Sequence, residues 1–75
     1  MTLDEFVQAF AEEFDDTPVE DFKADTNFKE LDEWSSLVAL SIISMVDDQF
    51  DKNITGADIR SSATIEDLYN LILAK

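Results

Sequence analysis

Two adjacent serines, Ser35 and Ser36, are the side chains of this chain best suited to covalent chemistry. They follow Asp32-Glu33-Trp34 and precede Leu37 and an apolar run, and Trp34 to Val46 carries no charge although the chain holds 18 aspartates and glutamates. Such a run after a polar junction reads as a buried helix entered at a serine. A serine there has two uses. Its oxygen can accept a hydrogen bond from one of the unpaired N–H groups of the first turn, as a cap. Alternatively, its hydroxyl projects from a loop-to-helix junction and serves as an attachment point, where the positive end of the helix dipole favours an anion such as a phosphodiester. At the level of residue type and spacing both readings stand.

Other chemistry is narrowed by what is missing. The chain has no cysteine and no histidine. Thiolate metal sites, disulfides and thiol nucleophiles are therefore excluded, and so is serine–histidine catalysis. The acidic pairs Asp15-Asp16 and Asp47-Asp48 lie in polar segments with no apolar pocket predicted around them, which argues against an acid–base pair. Asp51, Asn53, Thr55 and Gly56 imitate the start of a calcium loop, but the position that needs a bidentate glutamate is Ser62. A turn that ends a helix is the better reading.

Size and charge set further limits. Residues 1–75 make one small domain, and a core of that size supplies only ~3–5 kcal/mol of net stability. A carrier or binding module fits better than an enzyme with a deep cavity. The formal net charge of −13 repels nucleic acid and anionic membrane and favours partners with basic patches. Disorder is excluded by a hydrophobic content of 45% that recurs with a clear period. The uncharged run falls well short of the ~20 residues of a membrane-spanning helix. Met1-Thr2-Leu3-Asp4-Glu5 lacks the basic and apolar regions of a signal peptide, so a cytoplasmic monomer is expected.

The elements that must position the serines are helical. Thr2 and Glu5 form a capping-box pattern, and Leu3, Phe6, Val7, Phe10 and Phe14 fall on one helical face. Acidic residues 12, 13, 15 and 16 crowd the unfavourable end of that dipole, so the first helix ends near Phe14 or Asp15. Residues 16–34 hold no period, but Val19, Phe22, Phe28 and Leu31 are dense enough to pin an ordered crossover to the core, with a short turn at Val19–Ala24. The second helix runs from about Ser36 to Phe50. Its core face is Ala39, Ile42, Ile43, Val46 and Phe50, flanked by Leu40 and Met45 as partly exposed side chains. Ser41, Ser44 and Asp48 form the opposite stripe, and Leu37 sits at its head. A short helical turn at Ala57–Ser61 buries Ile54 and Ile59. Thr64 caps a last helix with Ile65, Leu68, Tyr69 and Ile72 inward. The fold class is all-α: a small four-helix bundle, three main helices and one short one, with a long ordered loop between the first two.

At this point the chain resembles the acyl carrier protein family. The likeness spans nearly the whole length: a phenylalanine-rich first helix, Asp25-Thr26-Asn27-Phe28-Lys29-Glu30-Leu31 in the loop, and Trp34-Ser35-Ser36-Leu37 opening the second helix. Asp47-Asp48-Gln49-Phe50, the isoleucine turn at Ile54 and Ser62-Ala63-Thr64-Ile65-Glu66-Asp67-Leu68 follow. The family pattern at its attachment site is Asp-Ser-Leu, with 4′-phosphopantetheine on the serine. The resemblance implies that Ser36 is that serine and that Leu37 beside it is read by partners. Leu40, Ser41, Asp47 and Asp48 complete the implied recognition face. The implied partners are a phosphopantetheinyl transferase and the acyl-transferring and acyl-modifying enzymes of a fatty-acid, polyketide or other specialised pathway.

Two departures from the family pattern leave alternatives open. Ser35 stands where an aspartate is expected, a carboxylate that would help dock the transferase and its magnesium ion. Asp32 and Glu33 are the nearest candidates to replace it, and Ser35 is itself a second candidate acceptor. The second helix also lacks acidic residues before Asp47, so partner choice would rest on apolar contact. The competing reading is an unmodified acidic helical interaction domain, either a degenerate carrier or an inhibitor of a basic partner.

Overall fold

The computed structural model describes residues 2–75; the first residue of the expected 1–75 domain lies outside it. Four α-helices follow one another: α1 (Leu3–Glu12), α2 (Ser36–Phe50), α3 (Gly56–Ser61) and α4 (Ile65–Leu73). Two 3-10 turns, Val19–Asp21 and Phe28–Glu30, lie between α1 and α2. No strand occurs among the described residues, which gives the all-α bundle expected from the periodicity. α1 packs against α2 and α4, and α3 packs against α4.

α1 starts at a capping box. Thr2 accepts from the Glu5 N–H at 3.2 Å, and the Glu5 carboxylate accepts from the Thr2 N–H at 2.8 Å. Phe6, Val7, Phe10 and Ala11 are buried. The helix ends at Glu12, earlier than the expected Phe14 or Asp15. The cause is competition for backbone donors: the N–H groups of Asp15, Asp16 and Thr17 go to the Glu33 carboxylate rather than to helix carbonyls. The last closures are tight ones, from Glu13 N–H to Phe10 and from Phe14 N–H to Ala11.

The crossover is held by rings. Phe14 meets Phe22 at 4.9 Å between centroids, Phe10 meets Phe28 at 5.2 Å, and Phe28 meets Trp34 edge-on at 5.0 Å. Phe28 is fully buried. Val19, expected to help pin this loop, is 55% exposed instead, because Phe22 turns inward from the same turn and leaves it on the outside. The loop also anchors α4. The Ile65 and Glu66 N–H groups donate to the carbonyls of Thr26 and Ala24, and Thr64 accepts from the Asp67 N–H. The first turn of α4 therefore finds three of its unpaired donors satisfied.

Along α2, Ile42, Met45 and Val46 are buried, and Ala39, Ile43 and Phe50 are half-buried. Met45, expected to be partly exposed, is a core residue; α1 packs against α2, and Glu13 from just beyond α1 lies with Met45 along one groove. α2 stops at Asp51, a left-handed residue with φ 56° that donates its N–H to the Asp47 carbonyl. Thr55 then caps α3 through a box with Asp58. Thr55 and Gly56 are thus parts of a helix start, which opens one residue before the expected Ala57.

Removing the Phe28 ring should test how far the loop depends on it. Phe28→Ala is expected to cost about 3–5 kcal/mol, comparable with the whole net stability of a domain this small. Circular dichroism should find the variant largely unfolded at room temperature. Val19→Ala should stay within about 0.5 kcal/mol of the parent in the same denaturant titration.

Candidate attachment site and docking face

The two serines divide the roles that the sequence left open. Ser35 has extended backbone angles and accepts the Val38 N–H at 3.3 Å, so Ser35 is the cap. Ser36 is the first helical residue; it is exposed, and its hydroxyl makes no hydrogen bond among the described residues. The capping role considered for Ser36 therefore belongs to its neighbour. This also gives a physical account of serine in place of aspartate. Both residue types cap well, so the local geometry survives while a negative charge is lost.

Ser36 opens onto a shallow groove between the start of α2 and α3, lined by Lys29, Trp34, Ser35, Ser36, Ala39, Gly56, Ile59 and Arg60. Trp34 forms one wall of it, half-buried against Phe28 and Phe14. No carboxylate is among the lining residues. Neither acidic residue named as a stand-in for the missing aspartate is at this groove. Asp32 faces a separate hollow with Asp16, Thr17 and Asp21.

Glu33 is engaged elsewhere. Its carboxylate accepts the Thr17 hydroxyl at 2.7 Å and the N–H groups of Asp15, Asp16 and Thr17 at 2.7–3.2 Å. The Thr17 hydroxyl is the largest cause holding its acid below the ordinary glutamate range; burial, next in size, opposes it, and the backbone N–H groups add to the lowering. Glu33 thus ties the residues just before the serines to the end of α1.

On its outer side α2 presents a second groove, lined by Leu37, Leu40, Ser41, Ser44, Met45, Asp48 and Gln49, with Glu13 from just beyond α1. Leu37 is 77% exposed and Leu40 60% exposed. Four of the expected recognition residues, Leu37, Leu40, Ser41 and Asp48, are brought together here. Asp47 is exposed but does not line this groove. Glu13 was missed because the acidic cluster after α1 reads in sequence as a helix stop. Burial, and then the nearby Glu12 charge, push its acid above the ordinary value. Lys29 and Arg60 were also missed as neighbours of Ser36. They are 31 positions apart, and no local pattern joins them.

Two measurements check this arrangement. Ser35→Ala should lose about 0.5–2 kcal/mol as a cap, whereas Ser36→Ala should change stability by less than about 0.5 kcal/mol; equal losses in urea melts would contradict the division. Glu33 supplies the second. Its folded-state pKa lies below the unfolded value of ~4.3, so its contribution is complete above that value and fades as pH falls through the lower, folded one. The melting-temperature gap between the parent and Glu33→Gln should therefore be widest above about pH 5 and narrow steadily in more acidic buffer.

The groove and its free hydroxyl suit a phosphoester. The exposed oxygen is accessible to a modifying enzyme, and the lining offers cations and no carboxylate that would repel a phosphate. Comparison with known families agrees with that chemistry: the sequence model described as phosphopantetheine attachment site matches residues 4–72. No curated protein and no solved structure matches the chain. Members of the matched family carry 4′-phosphopantetheine covalently and act as acyl carriers. With the match covering nearly the whole helical bundle, this chain belongs to the phosphopantetheine attachment site family, as a carrier protein.

Proposed function

We propose that Ser36 bears the 4′-phosphopantetheine arm and that the chain, as one non-catalytic domain, passes acyl intermediates between the enzymes of a fatty-acid, polyketide or other specialised acyl-biosynthetic pathway. The observation that carries this reading is the Ser36 hydroxyl, exposed and without a hydrogen bond at the first turn of α2 while Ser35 supplies the cap. When bound, the arm supplies a flexible tether with a terminal thiol that holds acyl groups as thioesters and raises their effective concentration at each partner.

The chain's own residues do the rest. Ser36 offers the oxygen to be esterified, and Glu33 and Trp34 hold the segment in front of it against α1 and the core. Leu37 and Leu40 present exposed apolar surface beside the attachment point, and Asp48 with Glu13 edges the groove below them with acid. Partners would therefore be recognised by apolar contact near Ser36 and by a cation farther along α2. The net charge of −13 steers basic surfaces toward the molecule and keeps nucleic acid away. No helix among the described residues is long and apolar enough to cross a membrane, which suits a monomer working among cytoplasmic enzymes. The uncharged stretch of α2 before Asp47 differs from an acid-studded docking helix, so the reading favours a specialised set of partners.

The test is direct. The apo protein is incubated with coenzyme A, magnesium and a broad-specificity phosphopantetheinyl transferase, and its mass is measured. A mass gain that is abolished in Ser36→Ala and retained in Ser35→Ala is expected. Failure with several transferases, together with an unmodified mass in protein from the native host, would instead favour an unmodified acidic interaction domain. The serine at position 35 is the feature that keeps that second reading alive.

A further inference from the structure

We propose that Lys29 and Arg60 form a paired cationic cradle that receives the phosphodiester of the arm on Ser36, a role that rests on Ser36 being the attachment residue. The chain has only five lysines and arginines against 18 acidic residues, and two of those five meet at the groove that holds Ser36. Lys29 comes from the 3-10 turn before α2 and Arg60 from the last turn of α3. They are locked together: the Lys29 ammonium donates to the Arg60 backbone carbonyl at 2.9 Å.

The electrostatics of this pair are unusual for so acidic a molecule. Among the described residues neither cation has a carboxylate partner, whereas Lys75 does, with Asp58 at 3.1 Å. Both cations line one groove that has no carboxylate among its lining residues, so their like charges are not offset there. An anion in the groove would offset them. An ester on Ser36 fixes one there, because its phosphorus is one bond from an oxygen that opens onto the same groove. An arginine fork and a lysine ammonium suit the two non-bridging oxygens, which accept charge-assisted hydrogen bonds.

Gly56 adds an independent geometric observation. It is the only glycine in the chain, yet its φ is not positive, so backbone conformation does not require glycine. A Cβ built there would stand 3.3 Å from Nη1 of Arg60. A side chain at position 56 would make the guanidinium give way by a few tenths of an ångström, so glycine lets the Arg60 side chain sit close to the start of α3.

The experiment compares apo and enzymatically loaded protein. On loading, the Arg60 Nε–Hε signal in a proton–nitrogen spectrum should move, and the phosphodiester 31P resonance should differ between the parent and Lys29→Gln/Arg60→Gln. Arg60→Lys should leave the resonance closer to the parent's than the double variant does. Loaded protein should melt about 2–5 °C above apo at low salt, the shift expected of an exposed charge pair in a domain this size. That gap should vanish in the double variant, and also near 1 M salt, where screening acts within ~3 Å. Apo melting temperatures of the variants separate a folding defect from a lost contact. A loaded protein whose Arg60 signal and 31P resonance ignore these changes overturns the cradle while leaving the carrier reading intact. A protein that accepts no arm on Ser36 removes both.

Discussion

The ring contacts that join Phe10 to Phe28, Phe14 to Phe22 and Phe28 to Trp34 tie a long loop to α1, and the start of α2 depends on them. Ordering each loop residue costs about 1–2 kcal/mol of backbone entropy, and the two 3-10 turns supply few hydrogen bonds in return. Burial of large rings is what offsets that cost. Because Trp34 is the last ring of the series and immediately precedes the serines, the packing that orders the loop also fixes where α2 begins. A first turn held this way can leave Ser36 exposed without becoming mobile.

Carboxylates do much of the backbone work in this molecule. Glu5, Asp58 and Asp67 each close a capping box, and Glu33 gathers the donors left after α1. Hydrogen bonds to the ionised form lower the acids of Glu5, Glu33 and Asp58. The scarce cations serve the opposite ends of helices. Lys52 donates to the Ile72 carbonyl in the last turn of α4, and Lys29 donates to the Arg60 carbonyl at the end of α3. These groups lie where the helix dipole favours them, unlike Glu12 and Glu13 at the end of α1 and Asp47 and Asp48 near the end of α2. The acidic composition is therefore partly structural and not only a solubilising shell.

α2 carries two surfaces with different chemistry. Ser36 opens onto a groove with cations toward α3, while Leu37 and Leu40 face outward over a groove edged by Glu13 and Asp48. The two surfaces are separated by a turn about one helix axis, so on the proposed reading a partner could grip the outer face without covering the groove at Ser36.

Much of the architecture was legible in the sequence, because helix periodicity and caps are local. Thr2, Thr64 and the spacing of Phe6, Val7 and Phe10 announced α1 and α4, and the uncharged run announced α2. The resemblance in Trp34-Ser35-Ser36-Leu37 pointed to the matched family. Tertiary structure decided what depends on distant partners. It showed that Glu33 takes the donors that follow α1, that Val19 faces outward, and that Met45 is buried. It also separated the cap, Ser35, from the free hydroxyl, Ser36, which share one residue type and differ only in backbone angles and hydrogen bonds. The meeting of Lys29 with Arg60 beside that hydroxyl could come only from the folded chain, because no local pattern links residues 31 positions apart.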